Sequence, residues 1–432
     1  MNRAVPCYQQ VMKMKLMRKI DFFIGVPLCY FLAGIQMIKR SLPFKPKSPD
    51  KIKKILVIKF LGIGSIALTA PAIMALKDEF PEAEIYYLTF KSNKEVIDLL
   101  ALTHKNLYID TKTISSFFIT TIQTLFRLRK ERIDLMLDFE FFSKLPLIIG
   151  VLGRIQNKAG FYLIIEWWRK YLLTHSGYYN HYYHVKDIFL SLVYLVKYKD
   201  PYYVEFGNYQ KKYSLPVLSP LTETLKQVKK IIGNVGARDG DIFIAINPNA
   251  GPELTPHLKR WPAEYFVELI DRLNEKYKNI SIVLTGSRSE KSYVQAIADQ
   301  VKKKNSVTNI AGQTSLTELI GLLSLTDLFI TVDSGPIHLA SLIRTSTIGL
   351  FGAETPVLYG PLNERATVLC KPLYSVPMFT VYNGKESMLT KNIPLQLISV
   401  EEVFRVAEGY LDKHPNICTA SFAKQLISSK SA

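Results

Sequence analysis

Cysteine is scarce in this chain of 432 residues: there are four, Cys7, Cys29, Cys370 and Cys418. None forms a C-x-x-C pair, and their spacing suits neither a zinc site nor a disulfide framework, so free thiols in a reducing compartment are expected. Acidic residues are also in short supply, with 37 Asp and Glu against 55 Lys and Arg, a formal net charge of +18. That surplus predicts acidic partners, among phosphate groups, anionic lipid and nucleic acid. Helix-turn-helix and RNA-binding signatures are missing, which favours phospholipid or a phosphorylated substrate and excludes nucleic acid as the expected partner. No small-residue cleavage site follows the apolar run near the N-terminus, which argues against a signal peptide. What is present is the composition of a folded enzyme, 48% hydrophobic and 21% charged, with aromatics high at 12%. The length exceeds one ordinary core and predicts two domains with additions.

Phe22 to Ile38 is a run of 17 residues in which Gln36 is the sole strongly polar member; it also holds Gly25, Pro27 and Gly34. A spanning helix needs about 20 apolar residues, so the run is marginal as a crossing. Lys13, Lys15, Arg18 and Lys19 precede it, and a heavier cluster from Lys39 and Arg40 to Lys54 follows. The heavier cluster keeps the following domains in the cytoplasm. Basic residues on both sides favour a re-entrant or interfacial helix over a full crossing. A helix packed only on the protein is less expected, because the run is apolar on all faces.

Residues 1–50 therefore read as an apolar helix and basic linker, the linker being the proline-rich Ser41–Asp50. From there strands and helices alternate: a buried strand at Lys54–Lys59, a Gly-containing turn, a helix at about Ile66–Glu79, a strand at Glu84–Leu88, a helix at about Ser115–Arg129 and a strand at Leu135–Asp138. Phe141–Tyr183 reads as irregular and aromatic, either core packing or an acceptor-binding surface. A second alternation has strands at Ile242–Ile246, Ser281–Leu284, Leu328–Thr331 and Thr347–Leu350. Its helices lie at about Pro262–Lys276, Glu290–Lys303, Ser315–Leu325 and Gly335–Leu342, with a last helix at about Val400–His414. Apolar strands alternating with helices predict parallel sheets covered on both faces. The expected organisation is an α/β chain of two doubly wound Rossmann-like domains, 51–207 and 240–395, joined by a charged segment at 208–239 and followed by a helix and tail at 396–432. Ligands in such folds bind at the carboxyl ends of the strands.

Four segments carry chemistry. Asn247-Pro248-Asn249-Ala250-Gly251 follows a strand and can expose backbone N–H groups to phosphate. Leu258-Lys259-Arg260-Trp261-Pro262 then sets two cations before a helix whose first residue is expected to be Pro262, a place for a diphosphate leaving group; a solvated basic loop over a buried Trp is the plainer reading. Gly286-Ser287-Arg288-Ser289-Glu290 puts Glu290 in a first helical turn, where it either favours the helix dipole or accepts hydrogen bonds from ribose hydroxyls. Thr331-Val332-Asp333-Ser334-Gly335-Pro336-Ile337-His338-Leu339-Ala340 ends a strand in Asp, opens a helix with a Ser-Gly-Pro turn, and places His338 in its first turn. A pyrophosphate fits that helix N-terminus; Asp333 or Ser334 could also simply cap it.

K-R-W-P, then D-S-G-x-x-H-L-A, then Gly349-Leu350-Phe351-Gly352 with Pro356, resembles the carboxyl half of glycosyltransferase family 9, the ADP-heptose:lipopolysaccharide heptosyltransferases. Ile55-Leu56-Val57-Ile58-Lys59, Gly62-x-Gly64 and Thr69-x-Pro71-Ala72 resemble the family's first strand, acceptor loop and helix. The similarity spans about residues 52 to 365. The resemblance implies a GT-B architecture, two domains facing a cleft, and an inverting transfer from a nucleotide sugar, by default ADP-heptose, to a lipopolysaccharide-type or other lipid-linked glycan at the cytoplasmic face of the inner membrane. It assigns diphosphate contact to Lys259, phosphate binding to Asp333, Ser334, Gly335 and His338, and ribose contact to Glu290. Asn249 and Arg260 complete the expected donor site. No metal or other cofactor is implied, because cations and helix dipoles take the metal's place.

One position departs from the family. The heptosyltransferases carry an aspartate after the glycine of the first loop as catalytic base; here the loop reads Gly62, Gly64 and then Ser65. Serine is no general base unless another group takes its proton. Asp138 and Glu140, alternate residues at a strand end of the same domain, share an orientation if Phe139 turns away. Glu140 is the preferred substitute and Asp138 the second. Ser65 equally motivates a rival expectation, an inactive GT-B-like nucleotide-binding or scaffold protein at the inner membrane.

Overall fold

The computed structural model describes residues 16–40, 52–141, 143–162, 166–198, 203–234, 241–249, 259–352, 354–373 and 394–412. The linker Ser41–Asp50, the loop residues Ala250, Gly251 and Leu258, and the end of the chain beyond 412 lie outside them. The chain divides into two compact units at Pro216/Val217. Of the segment expected to join the domains, residues up to 216 fall in the first unit and the remainder in the second.

The first unit is a six-stranded sheet, ordered β3-β2-β1-β4-β5-β6, with every pair parallel. Its strands are β1 (Lys54–Ile58), β2 (Glu84–Phe90), β3 (Lys105–Ile109), β4 (Leu135–Asp138), β5 (Asn157–Tyr162) and β6 (His175–Tyr178). β1 and β4 are buried almost throughout, which explains their unbroken apolar runs. The apolar N-terminal helix α1 spans Leu16–Ile38, long and apolar enough by length and composition to cross a membrane, and has a widened turn at Asp21–Gly25. The helix expected at Ile66–Glu79 is two helices, α2 (Ile63–Ala67) and α3 (Ala70–Glu79). Pro71 has no N–H to offer Ala67, so the ladder breaks at Leu68–Thr69. α4 (Lys94–Leu100) follows β2, and α5 (Ile114–Glu131) follows β3, its first turn closed by a reciprocal cap between Thr113 and Ser116. α6 (Leu145–Leu152) and the short α7 (Arg169–Leu172) follow β4 and β5. The stretch expected to be irregular therefore supplies two strands and two helices. Its aromatic rings divide between core and surface: Phe141, Phe161, Trp168 and Tyr179 are buried, with Phe141 stacked on Tyr179 at 4.6 Å, whereas Trp167, Tyr178 and Tyr182 are exposed. α8 (Val185–Tyr198) packs on α3, and α9 (Tyr203–Lys212) closes the unit.

The second unit repeats the design with order β12-β11-β10-β7-β8-β9, again parallel throughout. After α10 (Thr222–Asn234) come β7 (Ile242–Asn247), α11 (Ala263–Lys276), β8 (Ile280–Leu284), α12 (Lys291–Ala298), β9 (Val307–Asn309), α13 (Leu316–Ser324) and β10 (Leu328–Val332). α14 (Gly335–Leu342), β11 (Thr347–Phe351), α15 (Pro356–Tyr359), β12 (Ala366–Cys370) and α16 (Val400–Leu411) complete it. Pro262 is the residue before α11 rather than its first, with an extended ψ of 138°. Trp261 is fully buried in the core and donates from its indole nitrogen to Ile398 O at 2.9 Å, tying the loop before α11 to the segment before α16.

Candidate donor and acceptor sites

In the second unit the carboxyl ends of β7 and β10 are joined by one amide. Asn247 donates through Nδ2 to Ser334 Oγ at 3.0 Å, Thr331 Oγ1 at 3.2 Å and Asn249 O at 3.0 Å. Asn249 in turn donates to Thr285 O at 3.1 Å, while its Oδ1 is buried without a partner among the described residues. Gly286 makes this possible, since a Cβ there would stand 2.7 Å from Asn249 Nδ2. Beside them Lys259 Nζ lies 2.8 Å from Asp333 Oδ2, both side chains about one-tenth exposed. Ser334 takes the cap position of α14, but its side chain makes no capping hydrogen bond and is spent on Asn247 and Thr331. Asp333 faces Lys259. The plainer expectation, that one of these two caps the helix, is therefore not met by either side chain, and α14 opens with the positive end of its dipole uncapped.

His338 sits in the first turn of α14, fully buried. Burial pushes its imidazole down to about 4, and Lys259 adds to the effect while Asp333 opposes it. The ring is thus neutral at physiological pH, and its Nδ1 has no partner among the described residues. Arg260 takes a neighbouring place, its guanidinium 4.3 Å from the Tyr293 ring. Glu290 is also buried and accepts from Ser287 N at 2.8 Å and Ser287 Oγ at 2.7 Å, so it closes a capping box. The structure thus brings Lys259, Asp333, Ser334, Gly335, His338 and Asn249 to one set of strand ends. Arg260 and Glu290 both act electrostatically on Tyr293.

In the first unit the expected loop follows β1. Gly62 has φ +82°, a conformation that L side chains rarely adopt, and a Cβ there would press on Ser65 Oγ at 3.2 Å. Gly64 is buried within α2, and Ser65 is half-buried. Glu140 is completely buried, and its Oε2 accepts from Lys59 Nζ at 2.9 Å, Phe60 N at 3.0 Å and Leu61 N at 2.9 Å. Its Oε1 is buried with no partner among the described residues. Glu140 therefore fixes the backbone that leads into the Gly62–Ser65 loop. Asp138 accepts from Glu140 N at 2.9 Å and faces the buried guanidinium of Arg169 at 3.4 Å. Burial pushes the Asp138 carboxyl up to about 7, with Arg169 and the Glu140 N–H opposing. Phe139 turns away into the core against Phe189, and the two carboxylates enter one network with Lys59 and Arg169. That network continues through Glu166 and Lys144 to Asp21 of α1, by contacts of 3.0 Å, 3.1 Å and 3.8 Å.

Sequence reasoning missed Lys59 and Arg169 as partners of the carboxylates, and Asn247 and Tyr293 in the donor cluster. Lys59 ends an apolar strand just before the loop, and Arg169 is a lone guanidinium among Trp167, Trp168 and Tyr171. Cations so placed demand a buried anion, which was the available signal.

Comparison with known proteins bears on the fold and on the family resemblance. The model of glycosyltransferase family 9 (heptosyltransferase) matches residues 204–387. The chain is 25% identical over 312 residues to lipopolysaccharide heptosyltransferase 3 of Escherichia coli K12, covering 70% of this chain and 83% of that protein. It is 25% identical over 321 residues to lipooligosaccharide heptosyltransferase 2 of Campylobacter jejuni, covering 73% and 86%. The crystal structure of a family 9 glycosyl transferase from Veillonella parvula superposes with a TM-score of 0.68 at 21% identity, over 86% of this chain and all of that one, so the fold is of the GT-B kind. With its D-S-G-x-x-H turn, its K-R-W-P segment and two parallel doubly wound units, the chain resembles glycosyltransferase family 9 and is a heptosyltransferase-like glycosyltransferase.

Proposed function

We propose that this enzyme transfers a sugar, by family default heptose from ADP-heptose, with inversion and without a metal, onto a lipopolysaccharide-type or other lipid-linked acceptor. The observation that carries the reading is the Lys259–Asp333 pair beside the uncapped start of α14, with a neutral His338 in its first turn. An ammonium and a helix N-terminus can hold the departing diphosphate without a divalent ion. Gly335 offers its N–H, His338 a ring nitrogen and Ser334 a hydroxyl once it leaves Asn247 and Thr331, while Asn249 presents an oxygen that has no partner among the described residues to a donor hydroxyl. Arg260 adds positive charge, and Glu290, already holding Ser287, is assigned the ribose.

On the acceptor side we assign the base to Glu140, with Asp138 as the second candidate and Gly62, Gly64 and Ser65 as the loop that carries the acceptor. Glu140 Oε1 is the carboxylate oxygen with lone pairs to spare. It takes the acceptor hydroxyl proton, the oxygen attacks the anomeric carbon opposite the diphosphate, and the C–O bond to the diphosphate breaks. The acceptor class and the apolar α1 favour work at the cytoplasmic face of the inner membrane, with α1 at the interface.

A second reading has an observation of its own. Glu140 Oε2 already serves three donors and Ser65 replaces an aspartate, as expected of a scaffold that binds nucleotide without turnover. Incubation with labelled nucleotide sugar and a lipid-linked core acceptor separates the two. Labelled lipid product supports transfer; tight nucleotide binding without product supports the scaffold.

A further inference from the structure

The outer face of α5 carries an apolar stripe that the transfer reaction does not use. Ile114, Phe118, Ile122 and Phe126 recur every four residues and so form one line along the helix, with Ile119 beside it. All are exposed, Phe126 at 65%. A soluble helix puts such a line inward. Here the inward face of α5 is already supplied by Leu128, Leu125 and Phe117, which pack on the sheet with Ile149 and Leu145 of α6.

α6 also connects this stripe to α1. Its Leu147, Ile148, Val151 and Leu152 pack against Cys29, Leu32 and Ala33 of α1. Arg129 of α5 donates to Leu152 O at 2.8 Å. α5 and α1 are thus both seated on α6, on the same side of the sheet. α1 uses one stripe for that contact and leaves Phe22, Phe23, Phe31 and Ile38 exposed. These two helices hold more than half of the large apolar side chains exposed among the described residues. Next to α1, Trp167 is half exposed and lies 6.1 Å from the Tyr30 ring, the kind of aromatic pair that suits a headgroup layer. At the C-terminal end of α5, Arg127, Arg129, Lys130 and Arg132 are exposed and set cations beside the stripe.

We infer that α5 is a second membrane-docking element, which lays its Ile114–Phe126 stripe into an anionic bilayer alongside α1. The inference rests on the membrane reading of α1. Apolar side chains aligned with a basic end, in a chain of net charge +18, match an anionic lipid surface rather than a neutral one. Contact through two helices fixes the first unit's orientation on the bilayer, whereas one helix leaves it free to rotate.

The full chain tests this by co-sedimentation with vesicles of phosphatidylethanolamine and phosphatidylglycerol, against phosphatidylcholine alone. Phe118→Ser/Phe126→Ser should lower partition to anionic vesicles about tenfold or more, since each ring loses a buried apolar area. Both rings are exposed, so thermal melting should stay at the parent value. Phe22→Ser/Phe31→Ser should give a separate loss, and the two together should approach background. If only the α1 variant loses binding, the inference about α5 is overturned and the reading of α1 survives. If only the α5 variant loses it, α5 docks alone, and both the reading of α1 and the inference that α5 docks alongside it are overturned. Should the serine variant melt early, Arg127→Glu/Lys130→Glu replaces it, and undiminished preference for anionic vesicles then overturns the inference. A dimer in solution that the α5 variant dissolves, with vesicle binding intact, would show that a second copy covers the stripe and also overturns it.

Discussion

Lys259→Met probes the donor site and its electrostatic balance together. The lysine is assigned to the diphosphate, and a charge-assisted contact is worth about 1.5–3 kcal/mol, or about 10- to 150-fold in affinity. The same substitution strands Asp333, whose Oδ2 loses an ammonium at 2.8 Å while its side chain stays about nine-tenths buried. Breaking a buried pair from one side costs about 3–5 kcal/mol of stability. A weak-binding Lys259→Met could therefore be merely unstable, and a second variant separates the causes. Lys259→Met/Asp333→Asn removes both charges and should recover most of the lost melting temperature. It should not recover nucleotide affinity, because the phosphate still lacks its cation. Calorimetric titration with nucleoside diphosphate, alongside scanning calorimetry, reads both quantities. Parent-like affinity in Lys259→Met, or restored affinity in the double variant, would refute the assignment of Lys259 to the diphosphate.

Glu140→Gln keeps the shape of the side chain and removes the base, so kcat should fall about 10²–10⁴-fold with donor affinity unchanged; a near-normal kcat sinks the assignment, and a crippled Asp138→Asn in its place moves the role two residues back along the chain. His338, depressed to about 4 in the folded protein, binds fewer protons there than when unfolded, so stability should rise by about 3 kcal/mol as pH climbs from about 4 to 6.5. Asp138, raised to about 7, acts in the opposite sense and loses stability as pH climbs from about 4 to 7. Melting temperature against pH should therefore lose its rising component in His338→Gln and its falling component in Asp138→Asn, and unchanged slopes would contradict the burial argument. High salt should extract the full chain from membranes poorly, because salt screens Lys and Arg but leaves apolar burial intact; full release by salt alone would rule out the apolar contact.

The strands that form the centre of each sheet were legible because both faces are covered and their runs are continuous. β4 was read at Leu135–Asp138 and found there, and α14 likewise at Gly335–Leu342. Strands farther from the centre escaped. β6 (His175–Tyr178) alternates half-buried and exposed residues, β9 is three residues long, and β5 hides Lys158, whose ammonium is buried against Ile155 O. Their pairing comes from neighbours distant in sequence, which no local pattern reports. The clustering of the candidate donor residues was legible because strand end, loop and helix start follow one another within a few positions. The Glu140 environment was not, since Lys59 and Arg169 reach the carboxylate pair from 81 and 31 residues away. α1 was read as apolar on all faces, yet it has a protein-facing stripe. Cys29, Leu32 and Ala33 are ordinary apolar residues, and only Leu147, Trp168 and Leu172 opposite them reveal which side is taken.

This heptosyltransferase-like chain should be an active transferase despite Ser65. The most direct test is single-turnover transfer from labelled ADP-heptose to a lipid-linked core acceptor in anionic vesicles, with a chelator present. Label should appear in the lipid fraction with inverted anomeric configuration, and it should be lost in Lys259→Met and Glu140→Gln. Nucleotide bound at full occupancy with no label transferred, across a panel of nucleotide sugars, would contradict it.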